Sequence, residues 1–186
     1  MEIITRVGFV RIIDFLLLLL AVRIIYISIS KGILIESFKT VGVVVSSFFS
    51  FHYYPYLIKN LEVKLPSFLK LLSFLLIFSG VYLIFYLIRK IVLLLLIKSN
   101  ESSLKERWFS LLLGGFRCAF VISLIVFLIY LSPKEINIQN SWFYIFKNIA
   151  PKTYFVFLNA YHKVNSKIEL NKELEIFLKK STIKND

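Results

Sequence analysis

Four stretches of this sequence are apolar for about as long as a bilayer is thick, and that decides most of what the chain can become. They run over residues 12–29 (IIDFLLLLLAVRIIYISI), 38–57, 69–88 and 108–131. A helix rising 1.5 Å per residue crosses a hydrocarbon core of roughly 30 Å in about 20 residues. No water is available there for backbone N–H and C=O groups, so an apolar run of this length folds as a helix. The expected fold class is all-α: a polytopic membrane protein with four transmembrane helices within residues 1–132. An amphipathic tail over 133–186 follows.

Composition agrees. The 186 residues are 58% hydrophobic, with a mean hydropathy of +0.78, against about 45–50% apolar residues in soluble domains. One Cys, one Met and two distant histidines, His52 and His162, give no basis for a disulfide framework, a metal site or a cofactor. The formal charge of +12 would suit a nucleic acid. The Lys and Arg residues instead gather at the edges of the apolar blocks, where snorkelling and topology place them. The expected partner is the lipid bilayer, with no nucleic acid. Arg6 and Arg11 ahead of FLLLLLAV have the look of a signal peptide. No A-x-A-like site follows, so the segment reads as a first membrane helix.

Inside the second block, Gly42, Ser46 and Ser50 recur at i, i+4, i+8, a face on which two membrane helices can approach closely. His52, Tyr53, Tyr54 and Tyr56 form an interfacial aromatic cluster, with His52 a wet imidazole and Pro55 closing the helix. Arg89-Lys90 marks the exit of the third helix, and IVLLLLI beyond it is too short to cross again. It lies along the interface or continues a long tilted helix. KSNESSLKER (98–107) is a polar connection. In the fourth block Gly115, Ala119 and Ser123 form a second small face, with Gly114 and Cys118 beside it, and Pro133 ends the helix. In the tail, Trp142, Ile145, Phe146 and Ile149 recur as an amphipathic helix bounded by Pro151. Further helices are expected over about 152–164 and 170–180, and the last six residues should fray. The tail helices are expected on the membrane face or against the bundle ends. Lys31, Lys39, Arg89, Lys90, Lys98, Lys105 and Arg107 lie near the first and third connections. Arg6, Arg11, Lys59, Lys64 and Lys70 lie on the other side. The positive-inside rule then favours both termini outside, although the basic tail pulls the other way.

Four charges sit in or beside this apolar material: Asp14, Arg23, Glu36 and Arg117. Each central charge costs roughly 2.5–3.5 kcal/mol, against about −0.3 to −0.6 for each Leu, Ile, Phe or Val, so the blocks still insert. Arg117 lies ten residues past Arg107, about 15 Å deeper along a helix. Asp14 and Arg23 are nine residues apart, roughly 180° around one helix, and cannot pair with each other. Two readings stay open. In one, Arg23 and Arg117 build a polar centre neutralised by Asp14, Glu36 or a bound anion. In the other, the same groups are interhelical glue. The small-residue faces point to helix–helix protein partners or a homo-oligomer. No G-x-S-x-G, H-E-x-x-H or phosphate-binding glycine loop is present, so no enzyme is expected.

One further pattern is specific. Asp14 near the start of the first helix, then K-G-I-L-I-E (31–36) and Gly42, resembles an arrangement in which an Asp opens helix one. In that arrangement an R-G-F-x-R-E-like turn leads to helix two. E-R-W-F-S-L-L-L-G-G-F-R-C (106–118) resembles a D-R-x-x-G-x-x-x-G-x-x-R-G signature. Both belong to the colicin V production protein (CvpA) family of bacterial inner-membrane proteins. The resemblance covers roughly residues 10–131, and more weakly 141–151. Asp14, Gly32, Glu36, Gly42, Arg107, Gly114 and Arg117 stand on the family's characteristic positions. Lys31 keeps the charge of the family's Arg but not its fork. Glu106 replaces an Asp, Ser110 and Cys118 replace glycines, and Ile35 stands where a second basic residue would be. The resemblance implies a multi-pass protein of the inner membrane, without known small-molecule substrate, that supports toxin production, secretion or envelope homeostasis. The competing expectation from the residues is a small oligomeric transporter or channel for an anionic solute.

Overall fold

In the computed structural model, residues 2–60, 67–96, 104–132, 141–162 and 174–176 are described. Four long helices account for the apolar blocks: α1 Glu2–Lys31, α2 Ile33–Asn60, α3 Ser67–Leu96 and α4 Leu104–Leu131. Each contains a stretch long and apolar enough to cross a membrane. A 3₁₀ helix, η1 (Trp142–Asn148), runs directly into α5 (Ile149–His162).

Every long helix outlasts its apolar block, because helical hydrogen bonding continues into the polar flanks after the need for it ends. α1 starts ten residues ahead of the expected 12–29, and α4 takes in Leu104–Arg107, the end of the presumed polar connection. α3 passes through Arg89 and Lys90 without a break, so the apolar run after them continues the same helix. Both side chains lie over the Tyr86 ring, Arg89 Cζ at 4.9 Å and Lys90 Nζ at 5.3 Å from its centroid, which lets cations sit beside an apolar helix. Pro55 does not close α2 but lies within it, five residues before Asn60. Pro151 does not bound a helix either. It occupies the first turn of α5, where the missing N–H would have no helical partner. The expected helix at 152–164 is α5. Of the helix expected at 170–180, only 174–176 falls within the described residues and is helical. The six C-terminal residues fall outside them.

α2 and α4 form the centre. α2 packs most extensively on α3, while α1 rests mainly on α4. Burial follows this order, with half of α4's span buried and only 11% of α3's. The outer faces of α1 and α3 are apolar and exposed: Phe15, Leu19 and Val22 on α1, Leu76, Leu83 and Ile84 on α3. That pattern suits hydrocarbon rather than water. The main core is aromatic. Phe51 of α2 has its ring 5.2 Å from Phe74 of α3, 5.0 Å from Phe127 of α4 and 5.6 Å from Tyr154 of α5, distances at which edge-to-face pairs are favourable.

Candidate functional site

The turn between α1 and α2 is a single residue. Gly32 adopts φ +75°, a left-handed conformation that ends α1 and that a side chain would strain. Its carbonyl accepts from Glu36 N at 3.2 Å, so α2 starts at once. This tight turn sets Glu36 one helical turn into α2, facing inward.

Glu36 is fully buried. Its Oε1 lies 2.7 Å from Arg117 Nη2 of α4 and its Oε2 lies 3.0 Å from Lys39 Nζ. The Arg117 contact is one of charge rather than an aligned hydrogen bond, since Oε1 has no hydrogen-bond partner among the described residues. Arg117 is only 7% exposed. Beside it, Gly114 makes room: a Cβ there would stand 2.1 Å from Ser28 Oγ and 3.7 Å from Glu36 Oε1. The close approach lets Ser28 Oγ of α1 donate to the Ser110 carbonyl of α4 at 2.6 Å. Three helices thus meet around one carboxylate.

The second set of polar contacts lies toward the opposite end. Asp14 Oδ1 accepts a short hydrogen bond from Ser141 Oγ, which in turn accepts from Phe143 N and caps η1. Ser123 of α4 splices the junction between η1 and α5: its hydroxyl donates to the Lys147 carbonyl at 3.1 Å and accepts from Ala150 N at 2.9 Å. A break in helical pairing beside a membrane helix is tolerable when a side chain satisfies it in this way. His52 is half-buried. Its Nδ1 lies 3.3 Å from Tyr154 Oη, and burial, with Tyr56 nearby, pushes the Tyr154 hydroxyl up to about 12, so it stays protonated.

These positions sort the residues anticipated from sequence. Glu36, Arg117 and Gly114 come together. Gly42 serves a different contact, its missing Cβ lying 3.3 Å from Phe85 Cβ of α3, and Ser46 and Ser50 on the same face are fully buried. In α4 the close approach belongs to Gly114 and Cys118. Gly115 faces open space. Arg107 is exposed at the start of α4, and the Lys31 side chain lies outside the described residues.

The polar centre built from Arg23 and Arg117 does not form. Arg23 is exposed, because it lies five residues, about 140°, around α1 from Ser28, which faces α4. Asp14 neutralises neither arginine. Sequence reading missed Lys39 as the second cation on Glu36 and missed Ser28, Ser123 and Ser141 as connectors. For Ser28 and Ser123, hydroxyls inside apolar blocks were the available signal. Among the described residues, no three His, Cys, Asp or Glu side chains converge as metal ligands would.

No curated protein and no solved structure matches the chain. The family model described as colicin V production protein matches residues 13–151, a range that takes in Asp14, the Gly32 turn, the Glu36–Arg117 pair and the Ser123 splice. The chain is thus a multi-pass membrane protein that belongs to the colicin V production protein family.

Proposed function

We propose that this is a non-enzymatic protein of the bacterial cytoplasmic (inner) membrane that supports toxin production or secretion, or envelope homeostasis, by holding other membrane proteins. The observation that carries the reading is the division of polar and apolar surface. The ionic residues at the centre are spent on each other, Glu36 against Arg117 and Lys39, whereas the faces of α1 and α3 remain uncovered. A scaffold with a locked interior and open lateral faces suits binding in the bilayer better than turnover. The competing reading, an oligomeric carrier or channel for an anion, loses its main support. That reading set an anion between Arg23 and Arg117, whereas Arg117 faces Glu36 and Arg23 turns outward.

The test is genetic. In a toxin-secreting host lacking this gene, restored wild-type protein should raise exported toxin activity or detergent resistance, and Glu36→Ala at equal abundance should not. An unchanged phenotype on deletion, together with Arg117-dependent anion flux in liposomes, would transfer the case to the carrier reading.

A further inference from the structure

We infer that the outer face of α1, centred on Arg23, docks a transmembrane helix of a different membrane protein that carries an Asp or Glu at the same depth. The inference rests on the partner-binding reading above and says where and by what chemistry the partner binds.

Arg23 is exposed within the Arg11–Ser30 span. Around it the exposed surface is apolar or aromatic: Leu19, Val22 and Tyr26, the last 72% exposed. A guanidinium in that setting needs an acceptor, since a central charge facing lipid costs roughly 2.5–3.5 kcal/mol by insertion scales. Among the described residues the fold offers none nearby. Glu36 is taken by Arg117 and Lys39, and Asp14 is bonded to Ser141 on a face about 180° away.

Snorkelling is poorly directed. The nearer end of the span is Ser30, seven residues on and about 10 Å away, but a helical Cα–Cβ bond tilts toward the N-terminus. The side chain therefore leans toward Arg11, twelve residues and about 18 Å off. A second copy does not serve either. Pairing α1 with itself symmetrically sets Arg23 against Arg23. The exposed acid of the described spans, Glu106, sits in the first turn of α4, far from this depth. What complements the face is an apolar helix bearing one carboxylate.

Photo-crosslinking in native membranes tests this. A photoreactive amino acid at Tyr26 of the full-length protein should capture a membrane protein with a carboxylate inside an apolar span. Arg23→Leu should lower the yield at least fivefold without lowering abundance, because it removes a charge from an exposed apolar face. Arg23→Glu should abolish capture, and Lys in place of the partner's carboxylate should restore it. Capture unchanged in Arg23→Leu overturns the proposal, as do adducts with lipid alone or with a second copy. Capture from a probe at Ile84 of α3 but not from Tyr26 also overturns it, while leaving the partner-binding reading in force.

Discussion

At the scale of single residues, the glycines and charges act by different physical means. Gly32 is needed for its backbone angle, Gly42 and Gly114 for what their missing side chains let approach. Glu36 is the more consequential half of its ion pair, since it faces two cations. Glu36→Ala deprives Arg117 and Lys39 of their shared carboxylate, whereas Arg117→Leu leaves Glu36 its Lys39 partner at 3.0 Å. Removing one member of a buried pair costs about 3–5 kcal/mol. Glu36→Ala should lie at or above that range and Arg117→Leu below it, read from unfolding in mixed detergent micelles. Equal losses would show that Lys39 adds nothing. The identities of Glu36 and Arg117 were legible in the sequence through spacing and resemblance. Their pairing was not, because helix rotation decides which of several buried charges meet.

At the scale of elements, the informative piece is η1–α5. Its apolar spacing suggested one amphipathic helix ending at Pro151, and the chain instead makes a 3₁₀ segment followed by an α-helix that contains the proline. Periodicity cannot show this, because Trp142 and Ile145 are more than 80% exposed and the inward positions are set by α4. The junction hangs on one hydroxyl. Ser123→Ala leaves the Lys147 carbonyl and Ala150 N–H without that partner, and each unsatisfied buried group costs about 1–3 kcal/mol. Limited proteolysis should cut within 141–162 much faster in this variant, while the four long helices keep their protection. Unchanged cleavage would mean that packing of Tyr154 and Leu158 holds α5 without the splice.

For the whole molecule, the described cations Lys39, Arg89, Lys90, Lys105 and Arg107 gather toward one end of the bundle, where α1 meets α2 and α3 gives way to α4. By the positive-inside rule that end is expected on the cytoplasmic side, as the sequence count also favours. A tag inserted at residue 100 should survive protease added to spheroplasts and one at residue 63 should be cleaved; the reverse pattern would invert the topology. Sequence alone determined that four helices form and roughly where, because a bilayer leaves an apolar run of that length no other hydrogen-bonded state. It also marked the small faces of α2 and α4, since close approach demands small residues at helical spacing. Only the tertiary structure decided that α2 and α4 take the centre and that Glu36 rather than Asp14 answers Arg117. It alone showed that Arg23 turns outward. Those outcomes depend on how each helix is rotated against its neighbours, and rotation is fixed by contacts between residues far apart in the chain.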